Sequence, residues 1–75
     1  DFIAKDKQGR IVLIECKGTA RENAIEQIHG YGKEYGKDTR LILMAFRIND
    51  ACRLAARKSE NIELVECDLD FHKIE

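Results

Sequence analysis

The stretch IVLIECKGTA, residues 11–20, decides how the chain is read. Four β-favouring residues run straight into Glu15 and Lys17, with Cys16 between them, and the run stops at Gly18. Side chains alternate along a strand, so Glu15 and Lys17 share one face and Cys16 takes the other. An apolar strand that ends in two opposite charges is either a solvated strand end or a site.

What precedes the stretch decides what stands across from it. Residues 1–6 (DFIAKD) also read as a strand, and Lys7-Gln8-Gly9 punctuates a hairpin between them. A two-residue turn would set Asp1 against Cys16, on the wrong face. A three-residue loop closes with Asp6 opposite Arg10 and brings Asp1 directly across from Glu15. The third loop residue must adopt a left-handed conformation, and Gly9 is there, so the three-residue loop is favoured. That register predicts two carboxylates about 5 Å apart at Cβ, with Lys17 beside them.

Opposed like charges in a sheet repel, and partial burial raises the cost. A divalent cation removes that cost. Hard oxygen donors suit Mg2+ or Mn2+, which take one or two carboxylates together with waters and substrate phosphate. Such an ion activates water and neutralises charge on a phosphoryl oxygen. Lys17 would then orient or help deprotonate the water, or stabilise pentavalent phosphorus. The same residues also fit a plain Glu15–Lys17 ion pair with an unrelated Asp1.

After Gly18 the period changes to that of a helix. Thr19 to Glu22 fits a capping box, and the helix should run to Tyr35 with Gly36 as its stop. Its expected apolar stripe is Ala24, Ile28, Tyr31 and Tyr35, supported by Ile25, with Gln27 one turn before Tyr31. Gly30 and Gly32 each cost about 1 kcal/mol relative to alanine, which implies close packing there or early fraying. Residues 40–46 (RLILMAF) read as a fully buried strand. Asn49 or Asp50 then caps a second helix with Ala51, Leu54 and Ala55 inward, Asn61 takes a left-handed stop, and a last strand follows from Ile62. The order β-β-α-β-α-β gives an α/β mixed sheet with right-handed crossovers, both helices on one face and the other face uncovered. Both faces of 11–17 are apolar enough to expect cover, from something before Asp1 or from a partner chain.

The bulk numbers bound the function. Seventy-five residues hold one small domain, and because the chain opens on Asp1 inside a strand pattern, residues 1–75 read as a piece of a longer protein. Charged residues exceed a third of the chain but sum to about minus one, which excludes a globally basic nucleic-acid binder and leaves a local patch open. Three widely spaced cysteines without a C-x-x-C pair read as reduced thiols serving as small core hydrophobes. The longest apolar run is far short of the roughly 20 residues of a membrane helix, so no membrane role and a cytoplasmic setting are expected.

An aspartate, a Glu-x-Lys fourteen residues on, and Gln-x-x-x-Tyr on the next helix together resemble the PD-(D/E)XK nuclease superfamily. Gln27-Ile28-His29-Gly30-Tyr31 is similar to the RecB-type element. DFIAKDKQGRIVLIECK, EQIHGY, RLILMAFRINDACRLA and IELVECD together look most like the C-terminal nuclease domain of NucS/EndoMS endonucleases, with Mrr-like restriction enzymes a looser match. The resemblance covers nearly the whole chain. It implies a restriction-endonuclease-like core lacking its N-terminal helix and strand, and Mg2+-dependent hydrolysis of DNA. Asp1 and Glu15 would be metal ligands, joined by the backbone carbonyl of Cys16. Lys17 would be the catalytic lysine, with Gln27 and Tyr31 supporting the site or touching the phosphate backbone. Arg21 is a further candidate for a DNA phosphate, and a homodimer or a DNA-binding domain outside these residues is implied. The rival reading is a non-catalytic DNA-binding or assembly module on the same fold.

Overall fold

A computed structural model describes residues 2–59 and 61–68. The elements are β1 (Phe2–Lys5), β2 (Ile11–Ala20), α1 (Glu22–Tyr35), β3 (Arg40–Ile48), α2 (Asp50–Arg57) and β4 (Ile62–Glu66). The sheet order is β1-β2-β3-β4, with β1 antiparallel to β2 and the two later pairs parallel. This is the expected mixed sheet of β-β-α-β-α-β order. Among the described residues no helix is long and apolar enough to cross a membrane.

The hairpin loop is the one that Gly9 demands. Gly9 has φ 82°, its N–H donates to the Asp6 carbonyl at 3.0 Å, and the Asp6 N–H donates to the Arg10 carbonyl at 2.9 Å. The Asp6 carboxylate accepts from the Gln8 and Arg10 N–H groups at 3.0 and 2.9 Å and from Arg10 Nε at 2.8 Å. Burial alone would raise the Asp6 pKa, but the hydrogen bonds and charge of Arg10, with the Gln8 N–H, hold it below the ordinary carboxylate value. The resulting register pairs Phe2 with Ile14 and Lys5 with Ile11.

β2 outruns its expected end. Thr19 pairs with Arg47 and Ala20 with Ile48, so Thr19 is a strand residue and the capping box does not form. α1 instead opens at Glu22 behind an extended Arg21, with no side-chain cap bond. Ala20 is completely buried, and the continued ladder with that burial outweighs a cap worth about 1 kcal/mol.

Both helices cover one face of the sheet. Ala24, Ile25 and Ile28 of α1 and Cys52 and Ala56 of α2 form one cluster with Leu13, Leu41, Leu43 and Ala45. The phase of each helix differs from the expectation. α1 buries Gly32 in place of Tyr31 and Tyr35, which are 50% and 40% exposed. A Cβ placed on Gly32 would stand 3.0 Å from Leu41 Cδ2, so the backbone approaches the sheet there and turns the tyrosines outward. α2 buries Cys52 and Ala56, leaves Leu54 54% exposed and Ala51 exposed, and keeps Ala55 partly covered. The apolar arc of this short helix, opposite Asp50, Arg53 and Arg57, is wider than the face it buries, so packing chooses which part turns inward. Asn49 does cap it, accepting the Cys52 N–H at 2.8 Å. Gly36 ends α1 with φ 104°, whereas α2 ends at Arg57 with Lys58 as its C-cap in a right-handed conformation, so Asn61 is not its stop.

Among the described residues no element covers the opposite face, as the topology predicts. Phe2 and Phe46 are more than half exposed, Cys16 is exposed, and Ile14, Ile42 and Met44 are partly so. β3 is therefore buried on one side only. Of the three cysteines, only Cys52 is a core residue, and burial pushes its thiol pKa up.

The two helical glycines have opposite prospects. Nothing lies within 4 Å of a Cβ at Gly30, so Gly30→Ala is expected to stabilise by about 0.5–1 kcal/mol, a rise of a few degrees in Tm. At Gly32 the same change meets Leu41, and Gly32→Val is expected to cost about 1–3 kcal/mol through overpacking. Thermal melts of both variants check the pair. Equal gains at the two sites would contradict the close approach.

Candidate functional site

Glu15 sits on the helix-covered side of β2, in the alternating set that begins with Leu13, and is 7% exposed. A carboxylate at that depth needs a counter-charge, because burial penalises its ionised form. Lys17, two residues on and on the same face, places Nζ 3.3 Å from Glu15 Oε1. The lysine side chain keeps 34% of its surface, against 9% for the glutamate, so the pair runs from the core edge out to solvent. Across the ladder Glu15 faces Leu43 and Lys17 faces Ala45, both in the core. Those neighbours fix the pair from below.

α1 does not close over β1. Between them lies a cavity of about 220 Å³ lined by Ile3, Leu13, Glu15, Ile28, Tyr31 and Tyr35 among others. Tyr31 therefore shares a cavity with Glu15, although it is not the core aromatic that its spacing suggests. Gln27 is exposed and does not line this cavity. The Cys16 side chain is exposed on a strand position that alternates away from Glu15. Arg21 is exposed at the N-cap of α1. Asp1 lies outside the described residues.

The structure thus sets Lys17 and Tyr31 each beside Glu15, with Lys17 outside the cavity that Tyr31 lines. Tyr35 and Glu34 also line the cavity, and sequence reasoning missed that role. The signal was available, since residues three and four beyond Tyr31 share its side of the helix.

Chemically, a hard dication is matched by the oxygen donors of Glu15, and Mg2+ accepts sites with one or two carboxylates. Among the described residues no group of three or more His, Cys, Asp or Glu side chains is placed to hold a metal. A complete ligand set from this chain would need a further oxygen donor beside Glu15.

Elsewhere the polar side chains hold structure. His29 Nε2 is 3.0 Å from Ser59 Oγ, which donates to the Ala55 carbonyl and ties α1 to the end of α2. Arg53 pairs with Glu66 at 2.8 Å and ties α2 to β4. Arg40 bridges β3 to β4 through Glu63 at 2.8 Å, and that contact holds the guanidinium pKa above its usual value.

No family model and no curated protein matches the chain. Three solved structures are similar to it over most of its length. The crystal structure of a repair endonuclease from Pyrococcus abyssi matches 88% of this chain and 31% of its own, with 28% identity and a TM-score of 0.76. EndoMS in apo form matches 89% of this chain and 33% of its own, with 25% identity and a TM-score of 0.74. An EndoMS complex with double-stranded DNA matches 91% and 31%, with 27% identity and a TM-score of 0.65. The structural neighbours of this chain are NucS/EndoMS repair endonucleases, and its α/β sheet has their nuclease-like fold. The chain spans about a third of the length of these proteins.

Proposed function

We propose that this chain is the nuclease core of a metal-dependent endodeoxyribonuclease that hydrolyses DNA phosphodiester bonds. The observation that carries the reading is a buried Glu15 held 3.3 Å from Lys17, on the strand next to a hairpin of defined register. Each hairpin pair sums to sixteen, from Phe2 with Ile14 to Lys5 with Ile11. Asp1 lies outside the described residues, and we keep it across from Glu15 as the three-residue loop predicts from the sequence. The two carboxylates, with the backbone carbonyl of Cys16, are then the residues that would hold Mg2+ or Mn2+. When bound, such an ion supplies charge neutralisation at the phosphoryl oxygens and acidifies water.

The chain's own residues do the rest. Lys17 reaches solvent from the rim of the site, so its ammonium donates to a phosphoryl oxygen on which charge develops, or holds the attacking water. Leu13 and Ile28 keep the inner side of Glu15 apolar, which strengthens every charge interaction there. Tyr31 offers a hydroxyl at the cavity, and Gln27, exposed one turn earlier, is placed for the phosphate backbone rather than for the metal. DNA selection and any dimerisation belong to the remainder of the longer protein, whose relatives include an EndoMS captured on duplex DNA.

Nicking of supercoiled or mismatched DNA with Mg2+ by the intact protein tests this. Asp1→Ala and Lys17→Ala are each expected to abolish it. Unchanged cleavage in both variants would overturn the assignment, and binding without any cleavage by the wild type would favour the non-catalytic module.

A further inference from the structure

The arginines of the described residues divide into two groups. Arg10, Arg40 and Arg53 are engaged by Asp6, Glu63 and Glu66. Arg21, Arg47 and Arg57 are exposed and make no ion pair among the described residues. Arg57 stands apart, in the last turn of α2. Arg21 and Arg47 both stand at the carboxyl end of the parallel strands, the end at which open α/β sheets bind ligands. Arg47 pairs with Thr19, two residues beyond the Lys17–Ala45 pair, and Arg21 follows the last residue of β2. Two strand residues span roughly 7 Å and adjacent strands lie about 4.8 Å apart, which puts Arg47 within a long side chain's reach of Lys17, while Arg21, just past the end of β2, stands farther along the same edge. The carboxylates nearest in sequence, Glu22 and Asp50, open the two helices, where the dipole favours them, and neither pairs with these arginines.

With a net charge of about minus one, the chain has no general pull on a polyanion. The carboxylates that neutralise the other arginines leave uncancelled cations at this edge. We infer that Arg47, together with Arg21, grips the DNA backbone beside the scissile phosphate, in a role distinct from that of Lys17. This rests on the nuclease reading of the Glu15–Lys17 site. Guanidinium groups suit the task, since their planar fork donates two hydrogen bonds to one phosphate. Such contacts position a duplex without reading its sequence.

The test is binding of the intact protein to a fluorescent duplex in EDTA, titrated with KCl from 50 to 200 mM. Arg47→Ala is expected to weaken binding about tenfold at the lower salt, and to reduce the slope of log K against log salt by about 0.9 for each phosphate that residue 47 no longer neutralises. Arg47→Lys should recover part of both. Arg57→Ala, remote from this edge, should change neither. An Arg47→Ala protein with wild-type affinity and slope would overturn the proposal, even if the wild type cuts DNA. Conversely, if the wild type binds and never cuts while Arg47→Ala still binds more weakly, this surface stands and the hydrolase reading falls.

Discussion

Glu15→Gln is expected to lower DNA cleavage by about a thousandfold or more, with little loss of folding stability. The substitution keeps the size of the side chain and its place on β2 but removes the negative charge that both Lys17 and a dication require. Metal-ion stabilisation of developing charge contributes several kcal/mol, and about 4 kcal/mol corresponds to a factor of a thousand in rate. Stability responds far less, because the Lys17 side chain keeps a third of its surface in water and solvent screens the pair. The separation of the two readouts is the informative part. Single-turnover cleavage and a denaturant melt of the same protein measure both. Cleavage within threefold of wild type would remove Glu15 from the chemistry. A collapse of the melt in step with activity would make it a structural ion pair.

Leu43→Ala is expected to produce the opposite pattern, with stability lost first. Leu43 is fully buried at the centre of β3, in the cluster that joins both helices to the sheet. Truncating such a leucine costs about 2–5 kcal/mol through lost burial and the cavity left behind. A small domain has little to spare, with total stabilities of about 5–15 kcal/mol typical and the low end usual at this size. Leu43 also pairs directly with Glu15, so the same cavity opens beneath the candidate catalytic carboxylate. Activity should therefore fall at temperatures where the fold persists. Leu54→Ala is the matched control, because Leu54 is 54% exposed and its loss should stay within about 0.5 kcal/mol. Urea unfolding of the pair checks the assignment, and equal costs would mean that the helix-covered core is placed wrongly.

Several features were legible because they are local. Gly9 had to take the left-handed place in a three-residue loop, and that choice set the register of β1 against β2. Gly36 ended α1, Asn49 capped α2, and alternation along β2 put Glu15 and Lys17 on one face. Each of these rests on the conformational limits of one or two residues and needs no knowledge of distant chain. Tyr31 was identified for the site by its spacing from Gln27, but its supposed burial was not found, and Gln27 itself stays outside the cavity.

The sequence by itself determined the element order, the hairpin loop, the two helix boundaries that carry Gly36 and Asn49, and the side of the strand on which the charged pair stands. Tertiary structure alone decided that β2 continues through Ala20, that Gly32 rather than Tyr31 meets Leu41, and that Cys52 rather than Leu54 faces inward. The reason is physical. Capping and helical spacing each weigh about 1 kcal/mol and are read within a few residues. Burial against a neighbouring strand or helix weighs as much or more, and it depends on which surfaces the fold brings together.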